Sequence, residues 1–230
     1  MLTPRAAQLH HSASFFTSEA VRMQSTMMDR RRVMASLAAS AALAPAQWAS
    51  ATTFRRAYPA SELIAAARKQ VGVTLGYDPG YTRIAFPGGD VPRSTGVCTD
   101  VLIRAFRDAF DVDLQELVHT DMRVAFPAYP QVWGLKRPDT NIDHRRVPNL
   151  QMFFKRRKEA LHLPTQDGGW RPGDIFTSMI NGKLPHIGIV SDRRSRSGRW
   201  AVIHNIGQGA REEDALQLHP LTGRYRFLLA

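Results

Sequence analysis

Three residues of this 230-residue chain have side chains suited to nucleophilic catalysis: Cys98, His186 and His204. Cys98 is the only cysteine, so an intrachain disulfide and a multi-cysteine zinc site are excluded, and the thiol is either structural or reactive. Apolar residues follow it at three- and four-residue spacing, which predicts a helix. Cys98 would lie in the first turn, where unpaired N–H groups and the helix dipole favour thiolate over thiol. The alternative is a small buried core thiol.

The two histidines belong to apolar runs on either side of a polar loop, a pattern that predicts a β-hairpin. If the hairpin is symmetric about Ser195, His186 faces His204 and Val190 faces Trp200, with β-carbons about 5 Å apart. One imidazole then orients the other and leaves a ring nitrogen free as a base. With a cysteine, this is the minimal equipment of a cysteine nucleophile. Two alternatives stay open: histidines satisfied at a sheet edge, and a zinc site formed by the three side chains.

A second group of polar side chains lies in the segment from Thr120 to Asn149, where no clear periodicity predicts a helix or strand. Long ordered loops in compact domains are usually functional, so the segment is a candidate wall of a cleft. Its charged residues would hold a substrate carboxylate, since arginine binds carboxylates with two parallel hydrogen bonds. The alternative is an internal salt-bridge cluster that fixes the loop. The candidate residues are Asp143, His144, Arg145 and Arg146.

The remaining pattern predicts an α+β fold in which helices come first and strands dominate the last third. One helix is predicted from a Ser61 cap, with a buried stripe that reaches Val71, and another from an Asn149 cap to Pro164. The strands are predicted from their apolar runs. They comprise residues 175–179, the hairpin of residues 185–205 and a last strand of residues 225–229.

The N-terminal residues have the order of a twin-arginine export signal: an arginine-rich segment (30–32), a short apolar run (35–44) and small residues at 49–51. We therefore predict that residues 1–51 comprise a disordered extension plus a signal peptide cleaved after Ala51, and that residues 52–230 form one domain. The apolar run is too short for a permanent membrane span. The alternative is an alanine-rich amphipathic helix. The signal predicts a periplasmic or secreted protein that uses the twin-arginine export machinery.

The chain is strongly basic, with 31 Lys and Arg against 20 Asp and Glu and a net charge of +11. This charge predicts an anionic neighbourhood such as nucleic acid, anionic lipid or cell-wall carboxylate, or else a solvated basic surface without a specific partner. Export would separate the protein from chromosomal DNA. We therefore expect no nucleic-acid partner and favour envelope polymers.

Several motifs resemble known families. Residues 173–176, 186–190 and 202–204 resemble conserved elements of NlpC-like cysteine peptidases, a bacterial branch of the papain-like superfamily. Residues 96–100 and 142–150, with Pro185-His186-Ile187-Gly188, look more closely like the signatures of the bacterial family called domain of unknown function 1287.

The resemblance implies a papain-like fold in which the Cys98 helix packs on an antiparallel sheet. Cys98 would be the nucleophile, His186 the general base and acid, and His204 the orienting residue, without a cofactor or metal. One departure is the sequence Val97-Cys98-Thr99-Asp100, where such peptidases commonly have Asp-Cys-Ser-Gly. We expect a cysteine hydrolase that cleaves an amide in peptidoglycan stem peptides or a similar small peptide. The rival hypotheses are a non-catalytic envelope-binding protein and an acyltransferase that uses the same thiol.

Overall fold

Four α-helices and a six-stranded antiparallel sheet make up residues 59–227, the part of the chain that the computed structural model describes. These residues belong to one compact unit. The predicted export signal lies outside the described residues. The helices are α1 (Ala60–Arg68), α2 (Cys98–Phe110), α3 (Leu114–Ala125) and α4 (Val147–Arg156). The strands are β1 (Gly76–Tyr77), β2 (Thr95–Gly96), β3 (Ala160–Leu161), β4 (Ile175–Ile180), β5 (Leu184–Arg194), β6 (Trp200–Asn205), β7 (Ala210–Glu213) and β8 (Leu221–Tyr225).

The large sheet has the strand order β3-β8-β4-β5-β6-β7, and every neighbouring pair is antiparallel. Strands β1 and β2 form a separate parallel pair immediately before α2. None of the described helices is long and apolar enough to cross a bilayer.

The sheet buries side chains on both faces because successive residues of a strand point to opposite sides. One face carries Ile187, Ile189 and Ile203 against the four helices, and we call this cluster the helix-side core. The other face carries a smaller cluster, the outer core. It consists of Trp170, Phe176, Val190, Val202, Ala215 and Leu216. The predicted α+β arrangement of helices on an antiparallel sheet is thereby confirmed.

Helix boundaries differ from the prediction at both sequence-based caps. Helix α1 begins after Pro59 rather than at a Ser61 cap, and it ends at Arg68, which leaves Val71 40% exposed. Helix α4 begins two residues before Asn149, and it ends at Arg156 rather than at Pro164. Pro148 occupies the first turn, where a missing N–H costs nothing.

Two predictions of irregular or extended structure are also corrected. Residues 120–125 are helical, since α3 starts after Asp113, whose carboxylate accepts a hydrogen bond from the N–H of Gln115. The last strand is β8, which ends at Tyr225, where the sequence predicts that it begins. Phe227 nevertheless packs in the helix-side core.

Candidate active site

Cys98 is the first residue of α2, as the apolar spacing predicts, and its side chain contributes to a cavity of about 410 Å³. The preceding chain is held there by Asp100, whose carboxylate accepts a hydrogen bond from the N–H of Val97 at 2.7 Å. Three aromatic and two arginine side chains give the cavity a mixed apolar and cationic wall. The lining residues are Tyr77, Pro79, Tyr81, Val97, Cys98, Trp133, Ile142, Arg145, Arg146, Val147, Pro148 and Pro185.

The sulfur of Cys98 is surrounded by hydrogen-bond donors but has little access to water. Its donors are the backbone N–H groups of Ile187 and Thr99 and the hydroxyl of Tyr77. Burial nevertheless outweighs these contacts and raises the pKa of the thiol to about 11. Burial of the thiol therefore opposes the helix start, which by itself favours the thiolate.

The rings of His186 and His204 meet on one face of the sheet. The Nε2 atom of His186 lies 2.8 Å from Nδ1 of His204, and both residues are buried. The ring of His186 also contacts Phe176 of the outer core edge to face. Burial lowers the pKa of His186 to about 3, and the neighbouring His204 adds to this effect.

The pairing that brings the two rings together differs from the symmetric hairpin. Val190 pairs with Val202 rather than with Trp200, which pairs with Arg194 across an irregularity in the ladder. Continuing this register places His204 opposite Gly188 and makes His186 its diagonal neighbour. The shift is by two residues, so both rings stay on the same face.

Gly188 is the residue that makes room for the two rings. A β-carbon at this position would lie 2.9 Å from the β-carbon of His204 and 2.6 Å from the ring of Phe176. The glycine therefore allows the diagonal contact between the imidazoles.

The sulfur approaches the backbone that carries His186. The sulfur accepts a hydrogen bond from the N–H of Ile187, the residue that follows His186 on β5. Helix α2 packs on the helix-side core. The two imidazoles lie on the outer-core face of the sheet. The pairing between β5 and β6 begins at Ile189, so β6 provides no acceptor for the N–H of Ile187. Among the hydrogen bonds of the described residues, none joins the sulfur directly to an imidazole. The sulfur of Cys98 thus lies near the backbone that follows His186, but the two side chains are not hydrogen-bonded to each other, and neither His186 nor His204 lines the cavity.

Glu213 extends the histidine pair toward the surface. Its Oε1 atom lies 3.0 Å from Nε2 of His204, and its side chain is 38% exposed. Burial lowers the pKa of His204, whereas the hydrogen bond to Glu213 opposes that shift. Both ring nitrogens of His204 are therefore engaged by protein groups, and neither is available to a metal.

The zinc alternative has no support in this geometry. Within residues 59–227, no three side chains of histidine, cysteine, aspartate or glutamate form a group that could hold a metal ion.

Arg145 has a structural partner rather than a free guanidinium. It makes two hydrogen bonds of 2.9 Å to Asp100, and the side chains of both residues are less than 5% exposed. The same guanidinium donates to the carbonyl groups of Asp78 and Gly80. The sequence left two interpretations of this loop, a substrate-binding cluster and an internal salt bridge, and Arg145 forms the internal salt bridge.

Asp143 and His144 are buried and do not line the cavity, which departs from the expectation that they contact substrate. Asp143 accepts a hydrogen bond from the N–H of Asp139 and forms an ion pair with Arg146 at 3.2 Å. His144 is surrounded by protein, and burial lowers its pKa to about 3.

Arg146 is the member of this group that lines the cavity and keeps N–H donors beyond the one that contacts Asp143. Its guanidinium lies 4.1 Å from the ring centre of Trp133, which also lines the cavity. Desolvation lowers its pKa in spite of the neighbouring Asp143. A partly exposed cation with one carboxylate contact is suited to bind a second anion.

Sequence reasoning missed Tyr77 and Glu213. Tyr77 reaches the sulfur because β1 pairs with β2 in parallel and sets Tyr77 beside Gly96, two residues before Cys98. Glu213 lies on β7, which was not predicted. The turn residues after Tyr77 and the charged Arg211-Glu212-Glu213 run gave no signal of a long-range contact.

Comparison with known proteins defines the class to which this fold and site belong. The model of the family described as "Domain of unknown function (DUF1287)" matches residues 64–227, so the chain belongs to that family. The match covers every residue of the site described above. A particular relative is the Escherichia coli (strain K12) protein described as "Uncharacterized protein YijF". It is 51% identical over 163 residues, which cover 71% of this chain and 79% of the relative.

Proposed function

We propose that the protein is an exported cysteine hydrolase with a papain-like active site that cleaves an amide in peptidoglycan stem peptides. The observation that carries this proposal is the position of Cys98 at a helix start and in a cavity wall, with its sulfur near the N–H of Ile187, the residue that follows His186 on β5. The His186–His204 pair lies on the outer-core face of the sheet and does not line the cavity. A nucleophile, a base and an orienting group are the parts that thiol catalysis requires.

In the proposed reaction, Nδ1 of His186 removes the thiol proton as the sulfur attacks the carbonyl carbon. This nitrogen is the one nearer the backbone of β5, and it is left over when Nε2 contacts His204. Because burial favours the neutral forms of both thiol and imidazole, the proposed reaction couples proton transfer to attack. Hydrogen bonds of this kind often tighten only when substrate is bound.

The same groups complete the cycle. The N–H of Cys98 at the start of α2 and the hydroxyl of Tyr77 donate to the oxyanion. His186 returns its proton to the leaving amine as the C–N bond breaks. Water then loses a proton to His186 and attacks the thioester, which releases the acid and restores the thiol.

The cavity wall favours a peptide that carries a free carboxylate. Arg146 provides the cation, while Trp133 and Tyr81 provide apolar area for the peptide chain. Stem peptides of peptidoglycan have such carboxylates, and the predicted twin-arginine signal would deliver the protein to them. We therefore place the protein in the periplasm or outside the cell.

The test compares the purified protein with its Cys98→Ala and Cys98→Ser variants on purified peptidoglycan, with mass spectrometry of the soluble fragments. We expect new amine and carboxylate termini from the native protein alone. Identical fragment profiles from the native and variant proteins would remove the hydrolase proposal for this substrate. Adding an amine acceptor distinguishes an acyltransferase, which would yield the corresponding amide.

A second candidate is a binding protein that keeps this scaffold without turnover. The observation that favours it is the raised pKa of the buried Cys98 thiol, since catalytic cysteines usually have lowered pKa values. This candidate predicts that native and Cys98→Ala proteins cosediment equally with peptidoglycan and release no fragments. Fragment release by the native protein alone would exclude it.

A further inference from the structure

The two imidazoles and Glu213 form a chain of two hydrogen bonds. The distances are 2.8 Å from His186 Nε2 to His204 Nδ1 and 3.0 Å from His204 Nε2 to Glu213 Oε1. The imidazoles are buried, whereas the carboxylate side chain is partly exposed at 38%. The chain therefore runs from a buried base to a group in contact with solvent.

We propose that Glu213 is a positioning residue that fixes the tautomers of both His204 and His186 and so leaves Nδ1 of His186 unprotonated. The catalytic meaning of this role rests on the proposed function. The tautomers themselves follow from the hydrogen-bond geometry.

The first step concerns His204. An ionised carboxylate only accepts hydrogen bonds, so Nε2 of His204 must carry the proton that is donated to Glu213. Burial favours the neutral form of His204, in which only one ring nitrogen carries a proton. Its Nδ1 is therefore an acceptor.

The second step transfers this constraint to His186. Since Nδ1 of His204 accepts, Nε2 of His186 must donate, and the neutral ring then has a bare Nδ1. Without Glu213 the proton between the rings has two possible arrangements, and one of them places a proton on the nitrogen of His186 that the base requires to be free. Glu213 thus selects the reactive tautomer of His186 through His204, without contacting His186 itself.

The neighbouring Glu212 offers a matched control. It lies on the same strand, but its carboxylate binds Arg68 at 2.7 Å and the hydroxyl of Ser191, away from the imidazoles. A Glu212→Gln variant makes the same chemical change at an adjacent position without contacting the histidine pair.

The experiment is two-dimensional NMR of the whole protein with ¹⁵N-labelled histidine near neutral pH, where long-range couplings from the ring carbon protons assign protonated and bare nitrogens. The native protein and Glu212→Gln are expected to show one tautomer for each ring, with bare Nδ1 in both His186 and His204. Glu213→Leu is expected to lose this single pattern and to average the two forms. Glu213→Gln, which keeps a carbonyl acceptor, is expected to restore it in part.

Two results would overturn the proposal: a protonated Nδ1 of His186 in the native protein, or native tautomers in Glu213→Leu. If Glu213→Leu does not fold, the native spectrum and that of Glu213→Gln still decide the assignment. The measurement uses no substrate, so a failure of the peptidoglycan assay leaves its outcome unaffected.

Discussion

At the scale of single residues, Cys98 experiences opposing influences. Three hydrogen-bond donors, including Tyr77, stabilise negative charge on the sulfur, whereas burial and the nearby carboxylate of Asp100 disfavour it. The result is a neutral thiol with a raised pKa. A helix start by itself therefore does not determine thiol chemistry, because dehydration contributes more than the dipole.

We predict that alkylation of Cys98 by iodoacetamide increases with pH to about 11, well above the ordinary thiol midpoint near 8.5. Tyr77→Phe removes a donor to the sulfur and is expected to move the midpoint still higher. Mass spectrometry of the modified protein over time gives the rate at each pH. The control is Tyr81→Phe, since the hydroxyl of Tyr81 binds Asp139 instead. A native midpoint near 8.5 would contradict the prediction.

At the scale of secondary-structure elements, the start of α2 depends on a contact with a distant loop. The carboxylate of Asp100 accepts hydrogen bonds from the N–H of Val97 and from Nε and Nη2 of the Arg145 guanidinium. The helix itself was predictable from local spacing, whereas its anchor was not. Arg145 is 45 residues further along the chain, and nothing local distinguishes it from Arg146 as the ion-pair partner.

We predict that Arg145→Met lowers the free energy of unfolding by about 3 to 5 kcal/mol, because it leaves the carboxylate of Asp100 buried and unpaired. Urea unfolding followed by circular dichroism measures the loss. Arg156→Met is the matched control, since Arg156 pairs with Asp121 near the surface and its loss should have a much smaller effect. Equal effects from the two variants would show that the Asp100 pair does not hold α2 in place.

At the scale of the whole molecule, the sequence predicts the layers better than the contacts between them. Apolar alternation identifies the hairpin strands, and an even register error leaves His186 and His204 on one face. The short strands β1 and β7 were missed because runs of two to four residues have no measurable period. Those strands position Tyr77 and Glu213, so the missing parts of the site follow from missing pairings.

Burial of several histidines in this fold also makes its stability depend on pH. Burial lowers the pKa of both His144 and His186 to about 3, whereas each is about 6.5 in an unfolded chain. Between these values the unfolded chain binds protons that the folded chain does not bind, so stability rises with pH. The stability is complete above about pH 6.5 and is lost as the pH falls toward 3, by about 1.4 kcal/mol per pH unit for each histidine.

We therefore predict that the free energy of unfolding is about 2 to 3 kcal/mol smaller at about pH 5.5 than at about pH 7.5, from His144 and His186 together. Urea unfolding at the two pH values measures this difference. His144→Gln is expected to remove about half of it, whatever its effect on absolute stability. His162→Gln makes the same change at an exposed histidine and is the control. Equal unfolding free energies at the two pH values would mean that these imidazoles are protonated inside the fold, which their burial opposes.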